Sequence, residues 1–417
     1  MTNTAGPETE PRPGLSPATR LTLHPLTIVP EGEEFLVGNP AQGVFVALPE
    51  IGVVVLREFQ QGRTLGEAGA VASRRAEQDV DVCDFAATLL DLGFVAEVDG
   101  IAVDAVAGGA RPRRWIAGLR PELARPFFSR PLWGLYGLLF VACVAVLLTQ
   151  PRYRPAPSDF FFLDSPVMSV ALLTLVAFLL GAVHEGCHWL AARAEGVPAR
   201  FSVSRRLYFL AFETDLTQLW GVPRRRRYGP LLAGMAFDTL VLTAALAGRV
   251  AIETGLWRPA TVVGRLLAAL VILEITEMSM QFLVFMRTDL YAVLVIALGC
   301  RNLWRVNQLV VKRRFLRLSA QETRELAEAH ERDLRVARWY RWLYLAGLAW
   351  AAWYFAKFFL PATITLLGWI AASLRADPGT ARFWQALLFA LLALLPLALT
   401  IGVLAWERLP RRPAAPG

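Results

Sequence analysis

The chain has 417 residues, of which 55% are hydrophobic, and its formal net charge is +8. The mean hydropathy of +0.43 excludes an ordinary soluble globular protein and indicates a membrane protein that crosses the bilayer several times. The arginines cluster beside the apolar runs, which favours contact with anionic lipid headgroups and argues against a nucleic-acid partner. The four cysteines lie far apart without CxxC spacing, so we expect no disulfide framework. We also expect no cleavable signal peptide, because the first apolar run begins only near residue 131.

Regularly patterned, soluble elements follow an N-terminal tail that is rich in proline, threonine and glutamate. Thr64 and Glu67 form the sequence signature of a capping box, and Gly93 provides a helix stop. The predicted elements are strands at 21–29, 34–38 and 44–48, helices at 49–60, from 65 onward and at 81–92, and a closing strand at 94–98. This order predicts a small α+β domain of winged-helix size.

Apolar runs predict about six membrane spans, near 131–148, 167–190, 231–246, 262–285, 342–360 and 383–406. A kinked continuation or re-entrant piece at 361–374 would make a seventh. The arginine-rich flank before the first span and the run Arg224 to Arg227 place the N-terminal domain in the cytoplasm. The membrane that the chain crosses is expected to be a bacterial inner membrane. A capping box at Ser319 and Glu322 predicts a charged helix that extends to about residue 341, with His330 on its solvated face.

One motif combines two imidazoles and a carboxylate at the end of the second predicted span. On a helix, His184 and His188 project from one face and can hold one zinc ion, while Glu185 can act as a general base. Two of the four histidines fall in this motif, and ionisable groups beside an apolar span are usually functional. The alternative is a pair of helix-end histidines that contact Glu185 and lipid phosphate.

A third protein ligand must come from a distant segment at the same membrane depth. The predicted topology brings Asp289 to that level, although this aspartate could instead cap the helix that follows it. Asp238 is expected to contact the ligand residues or the water molecule without binding the metal itself. Glu274 and Glu277 lie deeper in their span and would be either hydrogen-bonded supports or rival ligands. Between the motif and the third span, residues 207–217 could form a hairpin that offers backbone groups to an extended substrate, or a plain surface loop.

Two stretches carry family resemblances. Residues 35–39, 46–52, 59–67 and 89–93 resemble the PqqD-like family of peptide-recognition domains. That resemblance implies that a leader peptide adds as a strand to the small sheet, although a regulatory or structural cap is the alternative. The core near 165–300 resembles site-2 proteases, which are intramembrane zinc metallopeptidases, through residues 184–188, Gly196-Val197, Ala233-Gly234 and Asp289. It departs from that family's pattern at Leu290, Met235 and Asp238.

The sequence therefore predicts a polytopic α-helical membrane protein with a small N-terminal α+β, winged-helix-like cytoplasmic domain. The expected activity is that of a membrane-embedded zinc metalloprotease that cleaves a peptide or membrane-anchored substrate near the cytoplasmic face. Its partners would be the bilayer and a leader-bearing peptide bound by residues 21–105. The predicted regions are a tail at 1–20, the peptide-recognition domain at 21–105, a basic linker at 106–130, the protease core at 131–300, a charged helical segment at 301–341, C-terminal spans at 342–408 and a tail at 409–417.

Two other function classes remain open at this point. The chain could be a non-hydrolytic membrane peptide-binding accessory protein for export or immunity, with a structural or vestigial metal site. A transporter that uses Glu274 and Glu277 as a proton relay is disfavoured because no internal repeat is visible.

Overall fold

The structure is a computed structural model, and it describes residues 15–40, 42–103, 120–197, 199–206, 209–391 and 394. The chain divides into two compact units. The first contains the N-terminal domain together with Val197–Ala199 and Leu216–Arg227; the second contains Ile116–Gly196, Arg200–Asp215 and Tyr228–Gly417.

The N-terminal domain combines two small antiparallel sheets with three helices. Its elements are β1 (Leu21–Leu23), β2 (Thr27–Glu31), β3 (Glu34–Asn39), β4 (Val44–Pro49), α1 (Glu50–Gln60), α2 (Leu65–Ala76), α3 (Val82–Asp91), β5 (Val95–Val98) and β6 (Ile101–Ala102). One sheet has the order β2-β3-β4 and the other the order β1-β5-β6. The small α+β region expected from the sequence is therefore present, with a core that includes the fully buried Val37, Leu56, Leu89 and Phe94.

The prediction of one strand at 21–29 is wrong, because this stretch forms two strands in different sheets. Leu21 pairs with Val98 in one sheet, whereas Thr27 pairs with Gly38 in the other. Pro25 lies between the two strands and has no amide hydrogen for a ladder, which is consistent with the interruption.

Both local helix signals in the N-terminal domain are confirmed. Thr64 Oγ1 accepts a hydrogen bond from the Glu67 amide at 3.3 Å, and the Glu67 carboxylate accepts one from the Thr64 amide at 2.8 Å. This capping box opens α2. Gly93 adopts φ +69° just after α3, in the left-handed region that glycine enters at little cost.

A segment from later in the chain, Leu216–Arg227, belongs to the same unit as the N-terminal domain, and we call it the docking segment. Its short 3-10 helix, Thr217–Gly221, packs on β2 and β3. A Cβ built at Gly221 would lie 3.4 Å from Phe45, and the Gln218 side-chain amide donates to the Pro40 carbonyl at 2.7 Å. The docking segment is therefore packed against the β2-β3-β4 sheet.

Arg227 anchors the end of the docking segment. Its guanidinium is 1% exposed and donates to both carboxylate oxygens of Glu31 at 3.1 and 2.9 Å. It also donates to the Val222 and Trp220 carbonyls and lies 4.9 Å from the Trp220 ring centroid. The cytoplasmic location indicated by the arginine run at 224–227 stays a prediction, and the structure adds that the Arg227 side chain is buried in protein.

The second unit is mainly helical. Its elements are α4 (Pro121–Ala124), α5 (Arg130–Thr149), α6 (Pro166–Ala194), the hairpin β7 (Arg200–Arg206) and β8 (Phe209–Asp215), α7 (Arg224–Glu253), whose first four residues belong to the other unit, α8 (Thr261–Gln281), α9 (Asp289–Leu298), α10 (Leu303–Phe315), α11 (Ala320–Ala327), α12 (Glu331–Tyr354) and α13 (Leu360–Ser373). A further apolar helix covers Ala381–Leu391. The hairpin predicted near 207–217 is present, although it begins earlier, at Arg200.

Three helices in the described part of the chain, α5, α6 and α7, are long and apolar enough to cross a membrane. They correspond to the first three predicted spans and indicate a membrane protein. Helices also occupy the positions of the fourth and fifth predicted spans, but these do not meet the same test, and much of the sixth, 383–406, lies outside the described residues. The count of six spans is therefore not confirmed.

Two predictions for the C-terminal half need correction or refinement. The capping box at Ser319 is confirmed, but the charged helix predicted to residue 341 breaks after Ala327. His330 is the N-cap of α12 and accepts a hydrogen bond from the Arg332 amide at 3.2 Å, rather than lying along a continuous helix face. The stretch 361–374 continues the helical path of α12 through a π-helical turn at Phe355–Phe359 into α13.

Candidate metal centre

Three potential ligand atoms from two distant segments converge in the second unit. His184 and His188 lie one turn apart on α6, and their Nε2 atoms are 3.1 Å apart. Oδ2 of Asp289, the first residue of α9, lies 3.2 Å from each of them. These three residues form the one group within the described part of the chain that could hold a metal ion. The structure thus brings together the three ligands expected from the sequence.

The outer nitrogens of both imidazoles determine which atoms can act as ligands. His188 Nδ1 lies 2.7 Å from the Pro230 carbonyl oxygen, which can only accept, so Nδ1 carries the proton. His184 Nδ1 lies 2.9 Å from both carboxylate oxygens of Asp238, which also accept. In each neutral ring the Nε2 lone pair is therefore directed at the cluster, as in rings whose outer N–H is held by a carbonyl or carboxylate.

When both rings are neutral and protonated at Nδ1, as metal ligation requires, the two Nε2 lone pairs and Oδ2 of Asp289 are available to one ion. The two imidazole Nε2 atoms and one carboxylate oxygen lie about 3 Å apart. Ligands placed about 2.0–2.1 Å from a tetrahedral metal ion lie roughly 3.3 Å from one another. The observed triangle is close to one face of such a tetrahedron, so the donor set and its spacing fit a bound divalent metal.

Asp289 is positioned by the turn between α8 and α9. Thr288, not Asp289, is the N-cap of α9, and the expectation that Asp289 serves as a cap is not supported. Gln281 holds the turn by two hydrogen bonds: its side-chain oxygen accepts from the Asp289 amide at 3.1 Å, and its carbonyl accepts from the Thr288 hydroxyl at 2.7 Å. The carboxylate of Asp289 is consequently free to face the two imidazoles.

Gly234 on α7 provides the space that the His184 ring occupies. A Cβ built at this position would lie 2.3 Å from Nε2 and 2.4 Å from Cε1 of His184. Contacts this short do not occur between real atoms, so any larger residue would displace the imidazole. The absence of a side chain at Gly234 is therefore part of the construction of the centre.

Glu185 lies on α6 between the two histidines and contacts the end of β8. Its Oε2 accepts a hydrogen bond from the Thr214 amide at 3.0 Å, and its own carbonyl accepts one from the Thr214 hydroxyl at 2.7 Å. One carboxylate oxygen is thus held by the hairpin, and the side chain lines a cavity together with His184. The hairpin fixes the orientation of this residue.

The remaining predicted acids have different positions. Asp238 supports His184 as expected, whereas Glu274 and Glu277 are outside the ligand triangle and line the neighbouring cavity. The contributions of Pro230, Thr214 and Gln281 were not predicted from the sequence. A proline inside a long helix is a visible signal for Pro230, but no local pattern points to the other two.

No protein-family model matches the chain, and no characterised protein or solved structure shows significant similarity to it.

Proposed function

We propose that the protein is a membrane-embedded zinc metallopeptidase that cleaves peptide bonds at the cluster of His184, His188 and Asp289. The observation that supports this function best is the triangle of three ligand atoms about 3 Å apart, with a glutamate beside it in the sequence. The mixed imidazole and carboxylate donor set suits zinc. A zinc ion bound there would act as a Lewis acid toward a water molecule and the scissile carbonyl.

Different residues would orient the imidazole rings and transfer the proton. Asp238 and the Pro230 carbonyl keep the protons of both rings on Nδ1, so the rings stay neutral and oriented. Glu185 would take the proton of the attacking water and deliver it to the leaving amine, as a general base that then becomes a general acid. The Thr214 amide holds Oε2 of Glu185, which leaves its other carboxylate oxygen for proton transfer.

The test is cleavage of a peptide mixture by the full-length protein in detergent or nanodiscs, with new N-termini identified by mass spectrometry. The Glu185→Gln variant should bind metal normally and release no new termini, because the amide cannot accept the proton of the attacking water. If the variant cleaves as fast as the unmodified protein, Glu185 is not the base. If neither protein cleaves although the metal is bound, a non-hydrolytic peptide-binding role replaces the proposed one.

We further propose that residues 21–105 recognise the substrate at a distance from the cleaved bond, as the resemblance to PqqD-like domains implies. Within the described residues β4 pairs with β3 alone, so its other edge is available for an added strand. Such docking adds binding energy that is equal in the ground state and the transition state. Shortening a cleaved peptide at the end remote from the cut should therefore raise KM and leave kcat unchanged.

A further inference from the structure

A small cavity adjoins the metal centre, because His184 and Glu185 are among its lining residues, and we call it the acidic cavity. Its volume is about 260 Å³, and all its walls come from α6, α7 and α8. The polar residues that line it are His184, Glu185, Asp238, Glu274, Glu277 and Gln281. Four of these are carboxylates, and the lining contains no lysine or arginine.

Glu274 is the informative member of this lining. It is 2% exposed, and no described residue forms a hydrogen bond or ion pair with its carboxyl group. Asp238, by contrast, already uses both carboxylate oxygens on His184. Ionisation of a buried carboxyl group without a partner costs several kcal/mol, so such a group stays protonated until a cation lies beside it. A positively charged group from outside the chain would compensate Glu274.

The size and walls of the acidic cavity narrow the kind of group it can take. Pockets for whole small molecules usually measure about 300–1,000 Å³, so this one suits a single long side chain. Phe178, Leu180 and Leu273 contribute apolar wall, and Glu274 and Glu277 contribute charge. Lysine and arginine match this combination, because both carry an apolar stem and a cationic end.

We propose that the acidic cavity is a specificity subsite that receives a lysine or arginine side chain of the peptide substrate, beside the bond that is cleaved. The inference rests on the proposed peptidase function, since His184 and Glu185 line both the cavity and the metal centre. A second metal ion is not the expected occupant, because the three-ligand group is the one such cluster among the described residues and excludes both glutamates.

The experiment uses two peptide pools that are identical except at one central position, which is arginine in one pool and citrulline in the other. Citrulline has nearly the shape of arginine but no charge. The full-length, metal-loaded protein should cleave the arginine pool about tenfold to a hundredfold faster in kcat/KM, the range expected for one charge-assisted hydrogen bond. The Glu274→Gln variant should bring this ratio close to one.

Two controls make the result specific to the cavity. Glu328→Gln removes one negative charge from an exposed helix end and should leave the ratio unchanged. Metal content measured in Glu274→Gln should equal that of the unmodified protein, which excludes collapse of the centre as the cause. Cleavage without preference for arginine, or a preference that survives in Glu274→Gln, would overturn the inference and leave the peptidase function intact.

Binding measured without turnover separates the two proposals. Fluorescein-labelled versions of both peptides are titrated against Glu185→Gln and against the double variant with Glu274→Gln. Selective arginine binding that disappears in the double variant supports the acidic cavity even if no cleavage is found. Equal binding of both peptides to Glu185→Gln, together with no cleavage by the unmodified protein, contradicts both proposals.

Discussion

Two buried polar clusters in this protein differ in where their positive charge comes from. Arg227 brings its own cation to Glu31, and both guanidinium ends reach the two carboxylate oxygens. The cluster of His184, His188 and Asp289 brings together three atoms that could ligate a metal ion, and that ion would come from solution. A buried charge whose partners all belong to the chain is already compensated, whereas a group that takes a charge from solution is suited to binding. Metal removal should therefore leave the cluster of Arg227 and Glu31 unchanged. The cluster of His184, His188 and Asp289 should depend on the bound metal.

The largest expected effect is loss of the metal when one ligand is removed. His188→Ala or Asp289→Ala should reduce the content from about one ion per chain to less than about a tenth, because a tetrahedral site loses one of three protein ligands. Elemental analysis after purification without chelators measures this. Arg227→Ala is the matched control, since it removes a buried charge outside the centre and should keep the metal. Full metal content in Asp289→Ala would contradict the three-ligand centre.

Removal of the Asp238 carboxylate, which contacts His184 Nδ1, should lower the affinity for the metal without abolishing binding. Asp238→Ala frees Nδ1 from its acceptor, and changes of this kind cost about tenfold to a hundredfold in affinity. Asp238→Asn should cost less, because an amide oxygen can still accept the Nδ1 hydrogen. Titration against a competing chelator gives both affinities. Equal affinities for the alanine variant and the unmodified protein would show that Asp238 does not orient the ring.

Two glycine-to-alanine substitutions, one on α7 and one on α6, test whether the His184 ring needs the space that Gly234 leaves. Gly234→Ala should lower metal affinity about tenfold, because the new Cβ would lie 2.3 Å from His184 Nε2 and the ring must move. Gly186→Ala is the control: it lies within the motif, but a Cβ there meets no atom within 4 Å. The same chelator titration compares them. If both variants bind metal alike, the close approach at Gly234 has no role in the centre.

The smallest effect concerns the first cluster and should leave the metal untouched. Arg227→Met deprives Glu31 of its cation and should weaken the packing of the docking segment by about 1–3 kcal/mol, a value lowered because the Glu31 side chain is 30% exposed. Hydrogen exchange of the full-length protein should become faster in β2 and in the docking segment. Adding Glu31→Gln should recover part of the protection. Unchanged exchange in Arg227→Met would contradict the anchoring role.

Much of the N-terminal domain could be predicted because its signals are local. The capping box at Thr64 and the glycine stop at Gly93 depend on residues that lie within a few positions of one another. The spacing of His184 and His188 is local in the same sense. Asp289 required a different argument, from its expected depth, and the structure places its carboxylate against both rings.

The features that escaped prediction depend on contacts between distant residues. A run of four arginines has the composition of a membrane flank, and only the tertiary contact with Glu31 shows that Arg227 is buried. The Pro230 carbonyl and the Thr214 amide act through backbone atoms, which side-chain patterns do not report. The separation of strand 21–29 into two sheets likewise depends on pairing partners that are far away in sequence.

The docking segment also limits how this protein can be recombined. Residues 216–227 belong to the same compact unit as the N-terminal domain but are encoded far downstream of it, between β8 and most of α7. A chimera that exchanged only residues 21–105 would pair a foreign sheet with the native docking segment, and Arg227 would lose the partner that compensates its charge. Exchange of this domain between homologous chains is therefore expected to succeed only when residues 21–105 and residues 216–227 are taken from the same chain.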